Sequence, residues 1–182
     1  MSIKGKDGKL LSRSEGEAIM KGRGAITISI FALMLAIFQM ISNGNSGKVL
    51  TTTLEITDTW SFYQSKSIKQ SLAEYAYDDA MRANDMKRAA EIKVKIDRYE
   101  SEPSTGEGKK EISAKARHLE AEREEAKKRS PYYSMAISLL QIGLVLSSTA
   151  ILAVSMEFLW ASVAAAVIAS ALFANGFWLL FV

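Results

Sequence analysis

Three long stretches of the sequence carry no charged residue. They cover residues 25–42, 135–154 and 158–178, and each consists mainly of apolar residues. Each is close to the roughly 20 residues that a helix needs to cross a hydrocarbon core about 30 Å thick. Helices are expected rather than barrel strands, because the stretches show no apolar–polar alternation and backbone amides cannot stay unpaired in lipid. The sequence therefore predicts an all-α membrane protein with three transmembrane helices.

Most of the charged residues lie between the first and second stretches. Residues 43–134 are expected to form an extramembrane antiparallel helical hairpin. Within it, residues 43–53 are rich in Gly, Ser and Thr and indicate a linker, after which Asp58 or Thr59 could cap the first helix. Residues 101–108 collect Pro, Gly and Ser, so the chain is predicted to reverse there before the second helix.

The two predicted hairpin helices differ in length. The first, residues 60–100, would be roughly 60 Å long and the second only about 30 Å. Either the first helix breaks near Asp78-Asp79 or Asn84-Asp85, or its opening part lies on the bilayer surface, and we favour the surface position because Trp60 lies in an aromatic group suited to an interface. At Ser130-Pro131 the second membrane helix either starts or continues the preceding helix through a kink.

Basic residues on either side of the predicted spans bear on the orientation of the chain in the membrane. Residues 1–24 form a basic tail, and the first apolar stretch is followed by Asn43–Gly47 without an A-x-A-like cleavage site, so it is interpreted as an uncleaved anchor. The tail favours a cytoplasmic N-terminus and a periplasmic hairpin in a bacterial inner membrane, although Lys127–Arg129 argue the other way. The link at the start of residues 155–182 is short enough to make the last two spans adjacent and antiparallel.

Polar amides occur once in each predicted span. Gln39, Gln141 and Asn175 fall at similar depths in the same leaflet, because each lies within about two turns of the hairpin-side end of its span. Such side chains link helices through hydrogen bonds worth about 1 kcal/mol each. We expect a shared hydrogen-bonded cluster, and the alternative is that the amides line a polar path in an oligomer.

Small residues recur along the last two spans and would let helix backbones approach one another. The predicted helix-packing positions are Gly143, Ser147, Ser162, Ala166, Ser170 and Ala174. These positions offer more small surface than one neighbouring helix can use. The sequence therefore predicts association between subunits, as a homo-oligomer or with other membrane proteins.

No set of residues in the sequence reads as an active site. The chain has no cysteine and a single histidine, His118, which lies on a charged helix and is interpreted as a surface residue. Asp78-Asp79 and the carboxylates of residues 120–125 alternate with Lys and Arg, so a solvated face is expected rather than a metal site. With a formal net charge of only +3, a nucleic-acid partner is not expected. No enzyme activity, cofactor, metal or small-molecule substrate is predicted.

The segment Trp60-Ser61-Phe62-Tyr63-Gln64-Ser65-Lys66-Ser67-Ile68-Lys69 resembles the signature of a bacterial family known as domain of unknown function 4337. The stretches at residues 140–142, 147–148 and 173–177 are similar to the C-terminal half of that family. The resemblance covers most of the chain beyond the basic tail. It implies membrane residence, with one span, a charged helical segment and two closely linked spans, and it implies no activity.

If the signature has a role, the resemblance implies an aromatic and basic edge next to the membrane. The residues concerned are Trp60, Phe62, Tyr63, Gln64, Lys66 and Lys69. Contact with lipid headgroups or with another subunit is the physical interpretation of such an edge. The expected function is a non-catalytic membrane scaffold or interaction protein, and the alternative is a component of an oligomeric pore or transporter.

Overall fold

The computed structural model of the protein describes residues 13–179. Within them the chain forms four helices and no strand: α1 (Arg13–Arg82), α2 (Met86–Glu100), α3 (Lys109–Ala153) and α4 (Met156–Trp178). The all-α prediction is confirmed. The three longest, α1, α3 and α4, are long and apolar enough to cross a membrane. The predicted basic tail lies partly outside the described residues, and its last part belongs to α1.

The chain divides into two compact units. The apolar unit comprises the described parts of residues 1–46 and 127–182, and the charged unit comprises residues 47–126. Both units contain a part of α1 and a part of α3, because the boundaries between the units fall inside these two helices. Each unit is described separately below.

The predicted linker at residues 43–53 is wrong, because α1 runs through it without a break. The threonine hydroxyls that suggested a loop are satisfied inside the helix. Thr53 donates to the carbonyl of Val49 at 2.6 Å, and Thr57 donates to that of Thr53 at 3.0 Å. Thr59 likewise bonds four residues back, so it does not cap a new helix.

The chain reverses at residues 83–85, which contain neither Pro nor Gly. Asn84 adopts the left-handed conformation (φ 61°), and the N–H of Asp85 donates to the carbonyl of Ala80 at 2.9 Å, which closes the end of α1. The Asp85 carboxylate then accepts from the N–H of Arg88 at 3.0 Å and caps α2. The break near Asn84-Asp85 is therefore the alternative that the structure shows. The favoured alternative, a start that lies on the bilayer surface, is wrong, because the residues from Trp60 onward continue the same helix that contains the first apolar stretch.

The loop at residues 101–108 does not reverse the chain, contrary to the prediction. Contacts between helices show this: α1 meets α2 where Gln70 donates to Glu100 at 3.4 Å, and it meets α3 where Trp60 donates to Glu120 at 2.9 Å. From the first contact to the second, the residue number on α1 falls while the residue number on the partner helix rises. Both helices run antiparallel to α1, and the loop is an interruption between two segments of the same direction.

The core of the charged unit is narrow and is built mainly from alanine and isoleucine. Its buried apolar residues are Ile56, Ala80, Ala89, Ile96, Ile112, Ala116 and Ala126. Larger apolar side chains on the same part of α1, such as Ile68 and Leu72, are exposed. Because alanines fill much of this interior, the burial of apolar area is modest.

The apolar unit packs α1, α3 and α4 around three groups of buried residues. The central group contains Phe31, Leu140, Ala166 and Ala169. α3 passes through Pro131 as one helix, so the continuation at Ser130-Pro131 is the alternative observed. Between α3 and α4 the chain turns at Val154 (φ 48°), which makes these helices adjacent and antiparallel as predicted.

Candidate functional site

Lys66 is the centre of a cluster in the charged unit. Its side chain is only 10% exposed, and its Nζ lies 3.0 Å from Oε2 of Glu107 in the 101–108 loop. The ammonium also lies 5.3 Å from the centroid of the Phe62 ring and 5.8 Å from that of Tyr99. A buried ammonium needs such partners, because removing it from water without them costs several kcal/mol. We call Phe62, Lys66, Tyr99 and Glu107 the Lys66 cluster.

Trp60 and Tyr63 attach the first part of α3 to α1. The indole Nε1 of Trp60 donates to the Glu120 carboxylate at 2.9 Å, and the two aromatic rings meet edge to face at 5.4 Å. Nζ of Lys109 lies 5.5 Å from the centroid of the Tyr63 ring. The tryptophan, the two aromatic residues and Lys66 of the family signature thus make contacts inside the charged unit.

The remaining two signature residues, Gln64 and Lys69, are exposed. Sequence reasoning found the signature but missed its partners Tyr99, Glu107 and Glu120. These lie some tens of residues away in the chain, and only the antiparallel register of α1 against α2 and α3 brings them close. The acidic charge of Glu107 was the available signal, since a buried cation requires an acid nearby.

The ends of the 101–108 loop are tied together by Glu111. Its carboxylate accepts from the hydroxyl of Ser101 at 2.6 Å and from the backbone N–H of Glu102 at 3.2 Å. The hydrogen bond from Ser101 is the main cause that lowers the pKa of Glu111 below its ordinary value. Glu102 also has a lowered pKa, chiefly because the Arg98 guanidinium donates to it. Both carboxylates therefore favour the charged form.

The small residues predicted for helix packing lie where α3 meets α4. The Ser147 hydroxyl donates to Oγ of Ser162 at 2.9 Å, and both side chains are fully buried. A Cβ atom on Gly143 would lie 3.2 Å from the Ser162 carbonyl oxygen, tighter than ordinary contact. Ala166 is buried nearby. We call these four residues the α3–α4 seam, and they are used within one chain.

The other two predicted packing residues are less deeply placed. Ser170 is half-buried and donates to the carbonyl of Ala166 at 2.8 Å, so its hydroxyl is satisfied within α4. Ala174 is also half-buried. The small stripe of α4 is thus largely occupied by α3, which leaves little of it for another subunit.

The three predicted amides are not joined in one hydrogen-bonded cluster. Gln39 and Gln141 are exposed, and neither forms a hydrogen bond with another side chain within residues 13–179. Asn175 is half-buried and interacts with another part of the chain. Two of the three amides therefore lie on the outer surface of the apolar unit.

Gln39 and Gln141 both occupy the side of the helix pair that is turned away from α4. Gln39 follows Phe38, whose ring stacks on Phe173 of α4 with centroids 3.8 Å apart. Successive residues of a helix are about 100° apart around its axis. Viewed along α1, Gln39 therefore points to one side of the Phe38 direction, and Arg23, which borders α4, points to the other side. On α3, Gly143 faces α4, and Gln141, two residues earlier, points in nearly the opposite direction around the helix axis.

The register of α1 against α3 brings these two amides to similar heights. Gly24 of α1 approaches Ile151, and at the other end Asn45 donates to Ser130 at 3.0 Å. In this register the two glutamines lie about 7.5 Å apart along the helix axes. We call Gln39 and Gln141 the amide face.

Carboxylates and His118 do not assemble into a metal-binding group in the part of the chain that the structure describes. His118 is exposed, and its Nδ1 lies 3.6 Å from Glu122 one turn further along α3. The polar contacts of the charged unit are salt bridges and hydrogen bonds, some between helices and some within one helix.

Comparison with known proteins adds a family to this geometry. The model for a domain of unknown function, DUF4337, matches residues 20–179. The chain belongs to the DUF4337 family. The resemblance seen in the Trp60–Lys69 segment is thereby confirmed, and the DUF4337 match extends over parts of all four helices. No curated protein and no solved structure matches the chain. DUF4337 has no described function, so the functional argument depends on the geometry above.

Proposed function

We propose that this DUF4337 protein is a non-catalytic scaffold or interaction protein of the bacterial inner membrane, which self-associates or serves as an accessory subunit of a membrane complex. Its apolar stretches in α1, α3 and α4 would span the bilayer as three transmembrane helices. The N-terminus would be cytoplasmic and the charged unit, an antiparallel helical assembly, would be periplasmic. The absence of Asp, Glu, Lys and Arg from residues 25–42, 135–154 and 158–178 supports the spans.

The amide face is the observation that carries the proposal of self-association. An amide exposed to hydrocarbon without a hydrogen-bond partner costs several kcal/mol, because lipid tails offer neither donors nor acceptors. Gln39 and Gln141 each carry both donors and an acceptor. A second copy of the chain would offer the same pair and could satisfy the amides of the first across an interface.

The α3–α4 seam supports this choice of surface by elimination. Ser162 and Ala166 of α4 already pack against α3 in the same chain, so substitutions there would disturb the fold of one subunit. The amide face is different, because the side chains of Gln39 and Gln141 form no hydrogen bond within residues 13–179. We therefore place the subunit interface on the amide face.

The first experiment measures the mass of the full-length protein in mild detergent. Native mass spectrometry of the wild type should show a defined oligomer, and the double variant Gln39→Leu with Gln141→Leu should shift it toward monomer. Each interhelical amide bond lost is worth roughly 1 kcal/mol, so a tenfold or larger rise in the dissociation constant is expected. A wild-type protein that is monomeric in detergent and in nanodiscs would contradict self-association.

Ser29→Leu provides the matched control. Ser29 is an exposed polar residue in the same apolar stretch of α1, but its hydroxyl donates to the carbonyl of Ala25 at 2.9 Å within its own helix. Replacing it removes a polar group from the same span without removing a partner for another subunit. The oligomer should be unchanged, and an equal loss would mean that polarity alone, not the amide face, determines assembly.

The pore remains the second candidate, because exposed amides could also border a water-filled path at the axis of an oligomer. Reconstitution into liposomes separates the two. A scaffold predicts no flux of small ions above that of empty vesicles. Flux that is lost in the Gln39→Leu and Gln141→Leu variant would favour the pore.

Membrane residence is tested independently by washing membranes with alkaline carbonate. The protein should remain in the pellet, because three apolar helices hold it in the bilayer. Release into the supernatant would contradict the spans and with them the whole proposal.

A further inference from the structure

A groove lies between α1 and α4 in the apolar unit, at the end where α4 begins. Its volume is about 310 Å³, near the lower end of the roughly 300–1,000 Å³ typical of small-ligand pockets. The apolar part of its lining includes Ile26, Leu159, Trp160 and Val163. Arg23 and Thr27 are the lining residues with polar side chains. The groove is thus apolar along its length and has a cation at one end.

Among residues 13–179 the Arg23 guanidinium has no anionic partner. It forms no ion pair with a carboxylate of residues 13–179, including Glu157 in the first turn of α4. Thr27 does not offer its hydroxyl hydrogen to a ligand, because it donates to the Arg23 carbonyl at 2.9 Å. The groove therefore presents one uncompensated positive charge beside an apolar channel.

We propose that this groove binds an anionic phospholipid, with the phosphate at the Arg23 guanidinium and an acyl chain along Ile26 and Val163. The inference rests on the proposed membrane residence, which places the groove against lipid. An acyl chain matches the apolar lining, and phosphate oxygens accept two parallel hydrogen bonds from a guanidinium. Only an amphiphile offers both groups in one molecule.

Two neighbouring residues favour an anionic headgroup at this end of the groove. Lys21 is exposed two residues before Arg23 and adds positive charge near the headgroup position. Trp160 lines the groove while 68% of its surface is exposed, as suits an indole at the boundary between acyl chains and headgroups. A zwitterionic lipid would gain less from this positive potential than an anionic one.

The test is native mass spectrometry of the delipidated full-length protein with added phosphatidylglycerol or phosphatidylcholine. The wild type should bind phosphatidylglycerol more tightly. Arg23→Gln should weaken phosphatidylglycerol binding by about tenfold and remove most of the preference, because a charge-assisted hydrogen bond is lost. Lys21→Gln is the comparison variant, with the same change of charge two residues away and outside the lining; it should weaken phosphatidylglycerol binding less than Arg23→Gln, because Lys21 contributes only to the surrounding positive potential. Equal losses in the two variants would indicate diffuse attraction and overturn the site.

Ile26→Trp tests the groove itself, because Ile26 lines it with a mostly exposed side chain and the larger ring would occupy part of the channel. Binding of both lipids should fall, while the oligomeric mass and the thermal unfolding temperature stay close to wild type. Unchanged lipid binding would overturn the groove as the site. Inorganic phosphate at millimolar concentration should not displace the lipid, and displacement would show an anion site that does not use the groove.

This inference can fail without the proposed function. A protein that resists carbonate extraction and keeps its oligomeric mass, yet shows no preference between the two lipids, would overturn the lipid site alone. A protein released by carbonate would contradict membrane residence and remove the basis for both.

Discussion

The two units of the chain hold their helices together by different means. In the apolar unit, α3 and α4 meet through the small residues of the α3–α4 seam, and the Ser147–Ser162 hydrogen bond lies inside it. In the charged unit, long side chains join the helices, as in the Lys66–Glu107 and Trp60–Glu120 pairs. One unit therefore depends on close backbone approach and should be sensitive to side-chain size. The other depends on paired polar groups and should be sensitive to charge.

The largest expected effect comes from adding bulk to the α3–α4 seam. Gly143→Leu would force α3 away from the Ser162 carbonyl and should lower the free energy of unfolding by about 3 kcal/mol. Thermal unfolding of the full-length protein in detergent measures this loss. Gly44→Leu is the control, because a Cβ atom at that position of α1 meets nothing within 4 Å. Equal losses at the two glycines would show that the seam has room and would remove the contrast between the units.

A smaller effect is expected from removing the acid of the Lys66 cluster. Glu107→Ala leaves the buried ammonium without its anion and should cost about 2 kcal/mol in a urea titration. Adding Lys66→Met, which keeps the shape and removes the charge, should recover most of that loss. A double variant as unstable as Glu107→Ala alone would show that charge does not control this unit.

Asp97→Ala serves as the control for the Lys66 cluster. Asp97 pairs with Lys93 at 3.2 Å, but both side chains are more than half exposed. Such surface pairs contribute about 0–1 kcal/mol, so the free energy of unfolding should scarcely change. A loss as large as that of Glu107→Ala would mean that burial of the cation is irrelevant.

The smallest effect is expected at the 101–108 loop and depends on pH. The Ser101 hydrogen bond lowers the pKa of Glu111. At a pH above the ordinary pKa of a glutamate, the charged Glu111 carboxylate therefore stabilises the folded loop. This contribution should be lost as pH falls through the lowered value. Hydrogen exchange at residues 101–112, corrected for intrinsic rates, should therefore become faster in acid. Glu111→Gln should exchange fast already at pH 7, and a wild-type loop protected equally at pH 7 and pH 3 would contradict the assignment.

The apolar stretches could be predicted from the sequence because hydrocarbon thickness imposes a length and excludes charge. The predicted linker failed for a different reason. Thr53 and Thr57 are poor helix formers in isolation, but their hydroxyls bond to carbonyls one turn back, and Thr52 and Ile56 are buried against neighbouring helices. Tertiary packing thus outweighs local preference, and packing cannot be read from that segment alone.

Turn composition located a break but not its direction. The Pro and Gly residues of 101–108 do interrupt the helix, yet the reversal occurs at residues 83–85, where Asn84 tolerates the left-handed conformation and Asp85 caps the next helix. Both motifs end a helix. Only the contacts with α1 decide which of them turns the chain back.

The height of a residue along a predicted span could be inferred from the sequence more easily than the direction in which its side chain points around the helix axis. Counting residues placed Gln39 and Gln141 at comparable heights, which the register of α1 against α3 supports. The direction of each side chain depends on which neighbours surround its helix, and the residues that precede the two glutamines, Phe38 and Leu140, face the core instead. The expected cluster thus becomes an outward face.

The loop between α2 and α3 also determines where this fold tolerates added sequence. Pro103–Gly106 are all exposed, and the Glu111 contacts fasten the loop at its base. An epitope tag or a fluorophore-binding peptide placed there would lengthen an exposed loop and leave α2 and α3 in register with α1. One extra residue between Trp60 and Lys66 would instead rotate the two side chains by about 100° relative to each other and separate one from its acid. Labelling studies of this family therefore have a natural insertion point in this loop.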